Sequence, residues 1–375
     1  MDPRAQDLLI KGQRAFQQGN YEGAMALLDS AETYAPGAPV IPFNRGRVYT
    51  AVNRIDAARK AFHEAIERDP AYPEARLRLG DIELQRGDVE AALKYYREEQ
   101  SVEPSSDLFV KMGESFYRMG EADSARAAYE QAIALDSTNA TAHMMYGQLL
   151  EETGQLEEAL RHSQRALALE PNQSNYQYAV GSQLYQMGRL EESVEYLKRA
   201  ADGRLLHYPA QNNLAQVLLR LGREGESDYY MARADSSREL MNRITDAQSI
   251  AAQNPTSVDG WIKLGELFRM ADERDRAMQA FNRAAILEPT NLRVQKIVGE
   301  MMLAEGDVQT AIDLFQAILQ VDRSRVDVWK NLALAYAAAG QCEDARRALS
   351  TAREHRPGDA SLANIMNGLC QELDT

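Results

Sequence analysis

The chain has 375 residues, 45% of them hydrophobic and 26% charged, with a formal charge of −14. No apolar run approaches the ~18 residues of a membrane-spanning helix, and the hydrophobic fraction is too high for general disorder. Fifty-six acidic against 42 basic residues disfavour nucleic acid as a partner, and two cysteines are too few for a disulfide-dense mini-fold or a multi-cysteine zinc site.

From the N-terminus, Gly19, Asn53, Gly87, Gly120, Gly154, Gly188 and Gly222 recur at steps of 33 or 34 residues, and Asp272, Gly306 and Gly340 resume the series. A second series stands 17 residues further on: Pro36, Pro70, Pro104, Ser137, Pro171, Pro289 and Pro357. Each unit reads as two helices. The Gly supplies the positive φ that ends the first helix. The second helix carries a small residue and a bulky one at i, i+4 on one face, as in Ala58-Phe62 and Ala125-Tyr129. Small residues in the first helix, such as Gly80, Gly113, Gly147 and Gly181, permit close approach at the crossing. The proline is expected at the start of the next helix, where a missing N–H is harmless. One such pair cannot bury its apolar face alone, so the units must stack.

These residues carry a resemblance. A unit with Trp-x2-Leu-Gly, as at Trp261-Leu264-Gly265, followed by Ala277-x3-Phe281, Ala284 and Pro289, resembles the tetratricopeptide repeat. Ten units begin near residues 5, 39, 73, 106, 140, 174, 208, 258, 292 and 326. The resemblance implies an all-α, right-handed superhelical solenoid of helix-turn-helix repeats, with a concave peptide-binding groove. It implies no particular partner.

Between Gly222 and Asp272 the spacing is 50, so 16 residues are extra. Leu240, Met241, Ile244, Ala247, Ile250 and Ala251 keep helical spacing there without Gly or Pro. Two readings stand: one long helix over 226–253, roughly 40 Å at ~1.5 Å per residue, or a new helix capped by Ser236-x-x-Glu239. The expected organisation is repeats 1–7 over 1–241, an extended helix or linker over 242–257, repeats 8–10 over 258–359, and a capping helix over 360–375.

Chemistry is sparse. His63, His143, His162, His207 and His355 include no pair at metal-ligand spacing, and no phosphate-cradling loop or nucleophile elbow occurs. No catalytic residue, metal or cofactor is expected. Cys342 and Cys370 fall in slots that antiparallel consecutive helices bring together, so they are either a disulfide pinning the last helix or two buried thiols. Met1-Asp2-Pro3 leads straight into helix without a signal-like region. The compartment stays open: cytoplasmic, or exported and periplasmic if that disulfide forms and a leader was removed.

In the family resembled, first-helix residues three before and four after the small residue face the groove. The first slot carries Leu9, Phe43, Leu77, Val110, Met144 and Tyr178, the second Phe16, Leu84, Tyr117 and Tyr185. The groove residues expected to bind are therefore Phe16, Phe43, Leu77, Val110, Tyr117, Met144, Tyr178 and Tyr185. Lys296 and Lys330 occupy the first slot in repeats 9 and 10. The expected function is a non-enzymatic scaffold or adaptor holding peptide segments of a protein partner. The alternative is a self-assembling structural protein that forms homo-oligomers through the long helix.

Overall fold

The computed structural model describes residues 1–203, 206–359, 362 and 365. It is all-α, a succession of helical hairpins. Repeat 1 is α1 (Pro3–Gln17) with α2 (Tyr21–Tyr34), repeat 2 is α3 (Val40–Ala51) with α4 (Ile55–Arg68), and repeat 3 is α5 (Ala75–Gln85) with α6 (Val89–Gln100). Repeats 4 to 6 pair α7 (Ser106–Arg118) with α8 (Ala122–Leu135), α9 (Ala140–Glu152) with α10 (Leu156–Leu169), and α11 (Ser174–Gln186) with α12 (Leu190–Gly203). Repeat 7 joins α13 (Tyr208–Arg220) to α14 (Glu224–Gln253). Repeats 8 to 10 pair α15 (Val258–Met270) with α16 (Arg274–Leu287), α17 (Leu292–Glu305) with α18 (Val308–Val321), and α19 (Val326–Ala338) with α20 (Cys342–His355).

The hairpin turns follow from backbone conformation. Every Gly of the first series is left-handed, and Asn53 and Asp272 take the same conformation at φ +58° and +57°. Both are residues whose short polar side chains tolerate it. The prolines correct an expectation. They lie in the turn between repeats, two to five residues before the next helix, as with Pro70 before Ala75 and Pro104 before Ser106. The residue that ends the second helix lies at φ between −130° and −144° whether a proline follows, as after Asp69, Glu170 and Glu288, or not, as after Asp136 and Asp322. A recurring clamp closes this turn. The side chain of the fourth residue in a repeat donates to the carbonyl six residues back, from Arg76 to Pro70, Gln177 to Pro171, Trp261 to Pro255, Gln295 to Pro289 and Trp329 to Arg323, at 2.7–3.0 Å.

The helices of a pair meet where a small residue faces a bulky one 16 positions later. A Cβ on Gly80 would lie 2.3 Å from the ring of Tyr96, and one on Gly113 2.4 Å from that of Tyr129. Gly46, Gly265 and Gly299 meet Phe62, Phe281 and Phe315 in the same way. All five rings are buried.

The chain divides into two compact units, residues 1–200 with 216–224, and residues 201–215 with 225–375. The boundaries fall between the end of α12 and the start of α14. The extra residues extend α14 to 30 residues as one continuous helix. Its buried residues Tyr230, Ala234, Ser237, Leu240, Ile244, Ala247 and Ala251 recur every three or four positions. At the far end Leu362 is buried with Leu349 and Ala352, and Ile365 packs on them. The rest of the expected capping helix over 360–375 lies outside the described residues.

Gly113→Ala should lower stability by about 1–3 kcal/mol, because the ring of Tyr129 has no room to retreat. Gly225→Ala, with nothing within 4 Å of the added Cβ, should be neutral or stabilising by at most about 1 kcal/mol. Urea midpoints of the two variants decide it; equal shifts would remove the crossing as the packing determinant.

Candidate functional site

Within residues 1–200 each first helix packs on its own second helix, and first helices also pack on one another: α1 on α3, α5 on α7, α7 on α9, α9 on α11. Among the described residues no pair of α2, α4, α6, α8 and α10 packs comparably. The first helices are therefore the tighter, inner layer of this unit, and the candidate site is their inner face.

Direct packing of first helices uses up part of the expected apolar stripe. Phe43, Leu77 and Val110 are only 7–9% exposed. Phe43 lies 5.2 Å from the ring of Tyr72 and 5.7 Å from that of Phe62. Leu77 and Val110 share a cluster with Leu84, Tyr96 and Ala142. These three expected groove residues are packed among the helices and leave little exposed surface. Phe16, Tyr117, Met144, Tyr178 and Tyr185 stay half-buried. Phe16 carries the Arg47 guanidinium over its ring at 4.9 Å and meets Tyr21 edge-on.

A polar ladder runs along the same face, from each repeat to the next. Tyr117 on α7 donates to Glu152 on α9, which also accepts from Gln148 at 3.4 Å. That bond, together with burial, raises the Tyr117 phenol above its ordinary value. Glu151 on α9 accepts from Gln186 and, at 2.9 Å, from Gln183, both on α11. Tyr185 donates to Gln216 on α13 at 3.1 Å, under the Arg220 guanidinium at 4.9 Å. Gln148, Glu151, Glu152, Gln183, Gln186 and Gln216 were not singled out by the sequence reading. Their signal was there: Glu151 holds the slot of Tyr117 and Tyr185, and Gln148 and Gln216 both follow the small residue.

In the second unit Ile262 is buried and the lysine end is not a free cationic patch. Lys296 pairs with Asp327 at 2.8 Å and Glu300 at 3.8 Å. Burial opposes the charge on Asp327, but hydrogen bonds from Lys296 and Arg325 outweigh it and hold the carboxyl at about 2. Arg293 pairs with Glu266 at 2.7 Å and Arg269 with Glu300 at 3.5 Å.

Two histidines do meet, contrary to the reading along the chain. His143 Nδ1 lies 2.9 Å from His162 Nδ1, and the Tyr146 ring centres 4.6 Å from that of His162. The spacing of 19 pairs positions across an antiparallel hairpin, which a search for adjacent ligands cannot detect. His143 is also the turn clamp of its repeat, with Nε2 at 3.3 Å from the Ser137 carbonyl. Nε2 therefore carries the proton, and Nδ1 accepts from His162. Burial lowers both pKa values, and the adjacent His143 lowers that of His162 further. Facing the pair are Glu130, Glu158, Arg161 and Arg165. Among the described residues no three His, Cys, Asp or Glu side chains form a metal-holding group, and no helix is long and apolar enough to cross a membrane. Cys342 opens α20; Cys370, its expected partner, lies outside the described residues.

Sequence models of the tetratricopeptide repeat match residues 15–64, 43–106, 110–174, 178–238 and 302–369. TPR repeat-containing thioredoxin TTL4 of Arabidopsis thaliana is 34% identical over 84 residues, 22% of this chain and 12% of that protein. Small glutamine-rich tetratricopeptide repeat-containing protein 2 of Saccharomyces cerevisiae is 27% identical over 135 residues, 36% of this chain and 37% of that protein. The chain thus spans well under two thirds of these relatives. The solved structure of PilW, a type IV pilus biogenesis factor, superposes with a TM-score of 0.50 at 16% identity, covering 58% of this chain and all of that one. That likeness concerns the fold.

The histidine pair gives a signed pH dependence. Both folded-state pKa values lie below the ordinary ~6.5, so the unfolded chain binds more protons as pH falls through that value, and stability is lost there. The melting temperature should drop between about pH 7.5 and 5.5. His143→Gln, which keeps the turn clamp as Gln177 and Gln295 do, should make that drop shallower. An unchanged slope would show that the pair does not titrate this way.

Proposed function

The chain belongs to the tetratricopeptide-repeat family, and we propose that it is a non-enzymatic scaffold or adaptor holding an extended segment of a protein partner on the inner face of repeats 4–6. Repeats of this family are in general protein-interaction scaffolds. One observation carries the finer reading: Tyr117, Met144, Tyr178 and Tyr185 are half-exposed and succeed one another on adjacent first helices, and a ladder of carboxylate and amide groups flanks them. Rings with a polar tip anchor a partner at low entropic cost, while amides and carboxylates can hydrogen-bond an extended backbone. Repeats 1–3 take no part in this reading beyond supporting the layer, apart from Phe16.

The outer layer is the internal control. Incorporating p-benzoylphenylalanine at Tyr178 or Tyr185 and irradiating source cells should give a discrete adduct with a partner. The same group at exposed Arg161 on α10 should give none. Adducts from Arg161 alone would move the function to the second helices.

Self-assembly is a second reading with its own support. Tyr229, Met241 and Ile250 on α14 are 43–58% exposed, and Leu206, Tyr229, Arg233, Ser236 and Leu240 line a cleft beside that helix. Exposed apolar groups on so long a helix suit contact with a second copy. Light scattering across a hundredfold dilution should then show a mass that falls to the monomer, and Tyr229→Asp should abolish the heavier species. A monomer at every concentration excludes this reading and leaves the first intact.

A further inference from the structure

The inner face of repeats 4–6 carries an imbalance of charge and of hydrogen-bonding groups. Carboxylates one position after the small residue are neutralised by neighbouring cations. Asp81 has Arg78 and Lys111 at 3.6 Å, and Glu114 has Arg118 at 2.6 Å. Glu151 and Glu152 differ. Among the described residues their partners are all neutral: Gln183 and Gln186 on the first, Tyr117 and Gln148 on the second. Among the described residues, these two adjacent carboxylates on α9 therefore have no cationic partner.

Unmet hydrogen-bonding capacity surrounds them. Gln183 is fully buried and gives its amide N–H to Glu151, while its Oε1 has no partner. The hydroxyl of Tyr129, also fully buried, has no partner and lies in the field of Glu114, Tyr117 and Glu152. The site thus has a surplus of acceptors and of negative charge. Aromatic faces lie beside it, and Arg220 already rests over one of them, Tyr185, at 4.9 Å. This face therefore seats a guanidinium on a ring.

We infer that Glu151 and Glu152, with Gln183, form a subsite for an arginine side chain of the bound partner segment. A guanidinium offers five N–H donors and no acceptor in a planar fork that fits carboxylates, and its flat face stacks on tyrosine. Binding exchanges hydrogen bonds from uncharged donors for bonds from a cationic one, which adds an ion pair to each carboxylate. The assignment rests on the groove-binding reading above, which it sharpens from a protein segment to an arginine-bearing one.

Selection from a displayed library of random decapeptides by the full chain separates the two claims. Wild type should return peptides enriched in arginine at one position. Glu151→Gln/Glu152→Gln, which preserves shape, should lose that enrichment while still selecting apolar positions. A synthesised wild-type winner should bind the double variant about tenfold more weakly, the size expected for a hydrogen bond to a charged group. Glu152→Lys, at an exposed position, should select against arginine and serves if the double variant unfolds. Peptides recovered without arginine enrichment, or with lysine at equal frequency, would overturn the subsite and leave the groove standing. Recovery of no peptide by wild type would overturn both.

Discussion

The contact on which the rest depends is the crossing of a glycine with an aromatic ring 16 residues later. Where a Cβ on Gly80 would stand, the Tyr96 ring already lies within 2.3–2.9 Å. The pair sets the distance between the helices of a repeat, and so the spacing at which the next first helix is presented. Close packing makes such a contact intolerant of one extra carbon. Two departures from it accompany other departures in the structure. In repeat 5 the ring is replaced by Ser163, and the backbone of α10 comes within 3.2–3.4 Å of the Cβ position at Gly147. That is the hairpin in which His143 and His162 touch. In repeat 7 the glycine is Ala215, the residue 16 later is the exposed Met231, and the second helix runs on to 30 residues.

Helix spacing also explains why the apolar stripe is not one open groove. Three before the glycine, Phe43, Leu77 and Val110 are buried between packed helices, whereas Met144 and Tyr178 in the same slot stay half-buried. Burial of Phe43, Leu77 and Val110 stabilises the stack, with about 1.5–3 kcal/mol for a fully buried side chain of this size. The inner surface is then formed by Met144 and Tyr178 in that slot and by the tyrosines, glutamines and glutamates beside it that join across repeats.

The sequence revealed the periodic features and concealed those that need a distance. Ten first helices were legible because several redundant markers recur in each unit, so that Asn53 and Asp272 could be recognised as left-handed positions without being glycine. The tyrosine slots were legible from the same register. The ladder through Gln148, Glu151 and Gln183 was equally periodic, but a search for apolar residues passes over polar occupants of the same slots. The histidine contact was not legible, since it depends on how two antiparallel helices slide past each other. Nor was the left-handed Glu74 at φ +62°, whose N–H donates at 2.6 Å to the buried carboxylate of Glu99, 25 residues away.

The two inner surfaces differ in how readily they can exchange partners. In the second unit Lys296, Arg293 and Arg269 already satisfy Glu266, Glu300 and Asp327. A ligand reaching that surface must break an ion pair to make one, so the net gain is small. Around Glu151 and Glu152 the resident donors are uncharged. An incoming cation there displaces uncharged donors and adds an ion pair, and the freed glutamines can return to water or bind the partner's backbone. The same fold thus provides one inner surface closed by its own charges and another whose charge is unmet. On the proposed reading, binding falls where the exchange is favourable, on repeats 4–6.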